Sequence, residues 1–444
     1  MREPQIKVGI LSGKKIKFSF PEVFVSSEGT ETFGEQIIVY KEGKIGLQEK
    51  FYDELTFSPV TEQSDLCFFE LKDVTIGINF HWERKETQRF KGSLKFIIEN
   101  DTLTAINIIS IEEYLTSVIS SEMSATASLE LLKAHAVISR SWLLDKLQTG
   151  KDKTVIPMQP HSADNLESPN PQLIKWYDHE AHTHFNVCAD DHCQRYQGIT
   201  RASTPQAIEA VSATRGEVLM HEGKVCDTRF SKCCGGAFEE FQNCWENVRH
   251  PYLIGQRDSQ TETALPDLRR EAEAEKWIRS TPTALCNTKD KYILSQVLNN
   301  YDQETVDFYR WKVKYTQEEL SKLIHERSGI HFGNIIDLIP IERGTSGRLI
   351  RLKIVGTLQT LILGKELEIR RTLSTSHLYS AAFVVDKEGE KEGVPAHFIL
   401  TGAGWGHGVG LCQIGAAVMG EKGYTYNKIL SHYYPGSTLE KQYQ

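Results

Sequence analysis

Between residues 103 and 144 the chain changes its hydrophobic period, and that change constrains the fold more than any other feature. Leu103–Ile109 reads as a strand. A turn follows, then Glu113-Tyr114-Leu115, and Leu129 to Leu144 carries apolar residues at helical spacing. Upstream, residues 1–110 read mostly as β: Ile6–Leu11, Glu35–Tyr40, Lys44–Leu47, Val74–Ile78, Lys95–Glu99 and Leu103–Ile109, punctuated by Gly, Asn and Asp. Residues 111–148 look helical. Residues 149–180 are polar, with Pro157, Pro160, Pro169 and Pro171, and read as a surface insertion. Residues 262–330 are charged and helical in pattern, with Asp267–Trp277, Lys291–Leu298 and Gln317–Glu326, the last capped by Thr316. Strands return over 335–399. A glycine-rich loop at 402–410 precedes helices at Cys412–Met419 and Tyr426–Tyr433. The expected fold is α+β: a β-rich platform with an active-site helix and an inserted helical subdomain. The expected division is 1–90, 91–260, 261–335 and 336–444.

The net charge of -8 over 444 residues leaves no basic footprint and argues against a dedicated nucleic-acid binder. No stretch approaches the roughly 18 consecutive apolar residues of a membrane-spanning helix. Residues 1–20 contain no apolar segment ahead of a small-residue cleavage site, so no secretory signal is visible. Either the protein is cytoplasmic or a leader was removed. The nine cysteines are an odd number in a long chain, which is not a disulfide framework. Cys226, Cys233, Cys234 and Cys244 fall close together and invite a metal or redox reading. Cys67, Cys286 and Cys412 read as isolated, inert thiols.

Three groups of residues carry chemistry. Glu122, in Ser-Val-Ile-Ser-Ser-Glu-Met, stands where a long helix is expected to start. A carboxylate there can serve as a general acid and base, or it can be an ordinary first-turn glutamate favoured by the helix dipole. His182, Cys188, His192 and Cys193 form a dense set of zinc-type donors, with His184 and Cys234 as further candidates. Surface histidines and buried thiols are the alternative. The loop Gly404-Trp405-Gly406-His407-Gly408-Val409-Gly410 lacks the Lys-Ser/Thr of a nucleotide loop. Its glycines are expected to let backbone approach a ligand or the Glu122 region closely. His407 and Gln413 are candidate cleft residues, or His407 satisfies a turn.

Four ordered segments together resemble the bacterial sporulation stage II protein D family, also called the amidase-enhancer (LytB) domain family. The first runs from Lys91-Gly92-Ser93 through Glu113-Tyr114-Leu115 and Glu122-Met123 to Lys133-Ala134-His135-Ala136 and Arg140. The second runs from Thr214-Arg215-Gly216 through Cys234-Gly235-Gly236 to Trp245 and Pro251-Tyr252-Leu253. The third is Ser346-Gly347-Arg348 to Arg370-Arg371. The fourth is the glycine-rich loop through Gln413 to Tyr433-Tyr434-Pro435-Gly436. The chain departs from the family pattern at Ser124 and His135, where Pro and Gln are usual, and at Phe230, where Tyr is frequent.

The resemblance implies a lytic transglycosylase acting on peptidoglycan glycan strands stripped of stem peptides, with Glu122 as acid and then base. It implies substrate-binding roles for Lys133, Arg140 and Lys232, which are expected to converge near Glu122. Some members resemble this chain in a zinc-binding His, Cys and His-Cys-Gln run; spacing puts the expected zinc at His182, Cys188, His192 and Cys193, and four protein ligands suit a structural ion. The expected location is the cell envelope if a leader was removed. A non-catalytic peptidoglycan-binding module that stimulates a cell-wall amidase is the rival expectation. A zinc-stabilised cytoplasmic binding protein is the third.

Overall fold

The computed structural model describes residues 2–60, 66–76, 83–124, 126–149, 161–162, 171–177, 182–190, 193–200, 203–260, 264–297 and 307–444. Ten helices lie among them. They are α1 (Ile111–Glu122), α2 (Leu129–Thr149), α3 (Pro205–Ala213), α4 (Phe241–Cys244) and α5 (Glu271–Arg279). They continue as α6 (Lys291–Val297), α7 (Gln317–Ser328), α8 (Glu366–Thr372), α9 (Gln413–Glu421) and α10 (Tyr426–Tyr433). The mixture of sheets and helices is α+β, as the sequence indicates.

Most of the N-terminal β segments join one sheet of 11 strands. Its main path runs Val187–Cys188, Gln5–Gly13, Thr102–Ser110, Ser93–Glu99, Leu55–Pro59, Lys15–Ser26, Glu31–Lys41, Lys44–Leu47 and Lys50–Tyr52. Alternation puts Phe18, Phe20, Phe57 and Phe96 on one buried face, where Phe18 meets Phe96 at 5.0 Å and Phe20 at 5.3 Å between ring centroids. Each fully buried ring contributes roughly 1.5–3 kcal/mol.

Residues 1–90 are not set apart from the catalytic region expected at 91–260. Gln5–Gly13 pairs antiparallel with Thr102–Ser110, from Gln5 opposite Ser110 to Gly13 opposite Leu103. Thr102–Ser110 then runs straight into α1. Ser110 caps that helix, its hydroxyl accepting the Glu113 N–H at 3.4 Å. The platform therefore holds the base of α1.

The helical stretch 111–148 is broken in two. Met123 is extended (φ -113°, ψ 150°) and α2 begins six residues later. The break is held from far away: Gln296 accepts the Ser124 N–H on its carbonyl at 3.0 Å and the Ser128 N–H on its side chain at 3.2 Å. The Ser128 hydroxyl accepts from Leu131 N–H and caps α2. Glu122 is thus the last residue of α1 rather than the start of a long helix.

Residues 261–335 are not a separate helical insertion either. Between α6 and α7 lies the strand Arg310–Thr316, which pairs along its whole length with His397–Ala403. α7 follows the expected cap, with reciprocal bonds between Thr316 and Glu319. It packs on a second core made with Leu338, Leu352, Ile354 and Leu363 from the strands of 335–364. No helix among the described residues is long and apolar enough to cross a membrane.

Candidate functional site

Glu122 is half-buried, and its Oε1 accepts the Arg195 N–H at 3.4 Å. Its place at the C-terminal end of α1 reverses the electrostatic expectation. The last turn is the negative end of the helix dipole, where a carboxylate charge is disfavoured. One irregular segment, 193–197, supplies the neighbours. The Gln194 side chain accepts from Tyr114 OH at 3.4 Å and donates to the Ser139 carbonyl at 3.4 Å, tying α1 to α2. Burial, then the thiols of Cys193 and Cys188, then Tyr196 and Glu122, push the Tyr114 phenol well above its ordinary pKa. Tyr114 also stacks on Tyr196, with centroids 4.9 Å apart.

The side of α2 that faces this junction carries His135 and Ser139. His135 Nδ1 meets the Ser139 hydroxyl at 3.2 Å, and its Nε2 meets the Gln413 amide at 3.2 Å. The amide donates, so the ring is the Nδ1–H tautomer. Phe230 packs edge-on against the ring at 4.7 Å. Burial, helped by the Lys232 charge, pushes His135 down to about 3. The Lys232 ammonium donates to the Val297 carbonyl, next to the Gln296 carbonyl that holds Ser124. Lys232 therefore stands beside the turn that follows Glu122, although it is far away in sequence.

Lys133 and Arg140 are engaged with other partners. Seven helical positions return to within about 20° of the same face, but His135 lies about 160° from Lys133. Lys133 pairs with Glu130 at 2.8 Å and lies over the Tyr426 ring. Arg140 is 0% exposed, with a two-pronged ion pair to Glu112 at 2.9 and 2.7 Å and a bond to the Glu217 carbonyl at 3.0 Å. A guanidinium so enclosed is a core strut, which corrects its expected contact with substrate and the expected convergence of the three cations.

The glycine-rich loop also serves a different end from the one expected. It wraps the buried Arg348 guanidinium: a Cβ on Gly408 would fall 2.5 Å from the Arg348 Cζ. Arg348 in turn donates to the Gly406 carbonyl at 3.0 Å and the Cys234 carbonyl at 3.1 Å. His407 satisfies the loop's own turn, its Nδ1 accepting from Val409 N–H at 3.1 Å. Burial and the Arg229, Arg348 and Arg370 charges push it down to about 3. Gln413 is 2% exposed and positions His135 from within the core.

The imidazole of His182 and the thiols of Cys188 and Cys193 converge, with their donor atoms within 4.8 Å of one another. His182 Nε2 lies 3.5 Å from Cys193 Sγ. The fourth expected ligand, His192, lies outside the described residues. Of the further candidates, His184 is exposed and Cys234 belongs to a different group. Contact with Cys188, together with burial, holds the Cys193 thiol well above its ordinary pKa. Two thiols and an imidazole are the donor chemistry that zinc takes. The stretch is seated on the platform where Val187–Cys188 pairs with Val8 and Gly9. Gly9 is required there, because a Cβ would come within 2.6 Å of the Phe185 ring. A cavity of about 290 Å³ is lined by Gly9, Phe185, Cys188 and Arg195 among others. Glu122 does not line it, so this is not where an acid at 122 would act.

His135 gives the site a pH dependence. It is neutral when folded and gains a proton on unfolding below its ordinary value near 6.5. The unfolded state then binds more protons, and stability falls as pH drops from about 6.5 towards about 3. At about pH 4 the loss from this one group is roughly 3 kcal/mol. Denaturant unfolding at pH 7 and pH 4 is expected to show this loss, and His135→Gln is expected to shrink it. An unchanged difference in the variant would remove His135 as the source.

Residues 99–221 match the family model described as Stage II sporulation protein. Residues 239–410 match a second model, a domain of unknown function (DUF8618). An uncharacterized protein of Brachyspira hyodysenteriae is 28% identical over 78% of this chain and 71% of its own length. An amidase enhancer of Bacillus subtilis is 24% identical over 73% of this chain, but over only 40% of its own length. A Stage II sporulation protein D of Bacillus amyloliquefaciens is 22% identical over 76% of each chain.

Proposed function

We propose, on the premise that residues 99–221 make this chain a member of the stage II sporulation protein family, that it acts on the cell wall as a peptidoglycan lytic transglycosylase. The observation that carries the reading is Glu122: a half-buried carboxyl at the negative end of α1, held by the Arg195 N–H, with Lys232 near the turn beyond it. In the reaction, Glu122 gives its proton to the glycosidic oxygen as the bond from the muramic anomeric carbon breaks. A hydroxyl of the same muramic residue then attacks that carbon and returns its proton to Glu122. No water is consumed, which is why one carboxylate suffices where hydrolases use two. Lys232 would hold an anionic group of the strand and orient the sugar for internal attack.

His182, Cys188 and Cys193 would hold a zinc ion whose role is structural, fixing the segment that carries Gln194 and Arg195 against α1 and α2. Metal analysis of the purified protein is expected to find zinc that Cys193→Ser reduces by about one ion per chain, with a lower melting temperature. A Cys193→Ser protein with unchanged zinc and unchanged melting would remove the site.

The amidase-enhancer relative favours a second reading, in which the chain binds glycan and stimulates a separate amidase. Purified protein incubated with peptide-stripped glycan strands, with no amidase present, separates the two. Shortening of the strands supports the enzyme. Intact strands together with faster amidase turnover support the enhancer.

A further inference from the structure

A second group of metal-type donors lies apart from the His182 cluster, and nothing in the reaction above uses it. Cys234, Asp258, Cys286 and Cys412 are each at most 2% exposed, and their donor atoms lie within 4.8 Å of one another. Cys234 Sγ is 3.4 Å from Cys286 Sγ and 3.3 Å from Asp258 Oδ2. Cys412 Sγ accepts the Cys234 N–H at 3.2 Å. The carboxylate is aimed: His432 Nε2 and Tyr433 OH engage Oδ1 at 3.2 and 3.3 Å, while Oδ2 faces the thiols and accepts the Cys286 N–H at 3.3 Å.

We infer that Cys234, Asp258, Cys286 and Cys412 form a buried tetrahedral site for a single thiophilic divalent cation of the zinc class. The spacing decides for one ion. At a metal–sulfur distance of about 2.3 Å, the edges of a tetrahedron are about 3.8 Å. An iron–sulfur cluster must also house its own sulfides and irons between the cysteines, and donors this close leave no such space. The donor set decides the class, because thiolates with one carboxylate take zinc rather than magnesium or calcium. A cation held between the three thiolates and the carboxylate would offset the cost of burying their charge. An imidazole bonded to the far oxygen of a ligating carboxylate is the usual outer support of such a site. Cys233 also neighbours the thiols of Cys286 and Cys412 but is not one of the four.

The ion would clip four distant stretches together: the loop before α4, residue 258, the link between α5 and α6, and the start of α9. It would thereby brace Lys232, whose carbonyl accepts the Ile414 N–H at 3.2 Å, and α6, which holds the turn after Glu122.

The test uses the full chain carrying Cys188→Ser and Cys193→Ser, which removes thiols from the other cluster. This protein, purified under reducing conditions, is expected to retain about one zinc ion. Cobalt(II) in its place is expected to give tetrahedral absorption with strong thiolate-to-cobalt charge transfer. Adding Cys286→Ser is expected to lose the ion, while Asp258→Asn keeps the thiolate bands at weaker affinity. If Cys286→Ser does not fold, the cobalt spectrum of the background protein decides alone. Zinc that survives Cys286→Ser would overturn the assignment. So would an octahedral or absent cobalt spectrum, or a Cys234–Cys286 disulfide in the freshly reduced and purified chain.

Discussion

Glu122→Gln is expected to lower glycan-strand cleavage by roughly 100- to 10,000-fold while binding of the strands survives. The substitution keeps the shape of the side chain and the acceptor oxygen that faces the Arg195 N–H, but removes the proton that titrates. Both halves of the proposed reaction pass through that proton, first to the leaving oxygen and then back from the attacking hydroxyl. Strand binding measured by pelleting with insoluble peptidoglycan separates loss of chemistry from loss of fold. Cleavage by the variant within a few-fold of the parent would show that another group is the acid.

Arg140→Met is expected to destabilise the fold by about 3–5 kcal/mol, the range for removing one partner of a buried ion pair. Glu112 would keep the Gly216 N–H at 3.2 Å and the Tyr443 hydroxyl at 2.6 Å, but its charge would have lost the guanidinium. Replacing both partners with apolar residues of similar volume leaves no unpaired charge but orphans the Gly216 N–H and the Tyr443 hydroxyl, so only part of the loss should return. Urea unfolding of the single and double variants measures both. An Arg140→Met protein with parental stability but lost glycan binding would return Arg140 to the ligand site.

What could be read from the sequence was local. The strands of 1–110 that fall on described residues, the helix of Leu129–Leu144 and the Thr316 cap need only near neighbours, and each is present. What was misread depends on partners far along the chain. The break after Glu122 is held by Gln296, 168 positions from Ser128, so a local reading runs the helices together and puts Glu122 at the wrong end of one. The seven-residue spacing of Lys133 and Arg140 correctly places them on one face of α2. It does not say which neighbour that face meets, and the neighbours are Tyr426 and Glu112. His135 looked like a lapse from the family pattern, yet it links Gln413 to Ser139. Cys286 and Cys412 looked isolated because 52 and 178 positions separate them from Cys234, which only the tertiary fold brings beside them. His182, Cys188 and Cys193 are close along the chain, so their convergence needs little of the tertiary fold.

Mass spectrometry of the products from peptide-stripped glycan strands cleaved in heavy-oxygen water separates internal ring closure from hydrolysis. A lytic transglycosylase closes a ring within the muramic residue. Anhydromuramic ends that carry no heavy oxygen are therefore expected, formed by the parent protein and not by Glu122→Gln. Reducing ends labelled from the water would mean hydrolysis, and strands left intact by a folded, glycan-binding protein would mean no cleavage at all. Either result would contradict the proposed reaction.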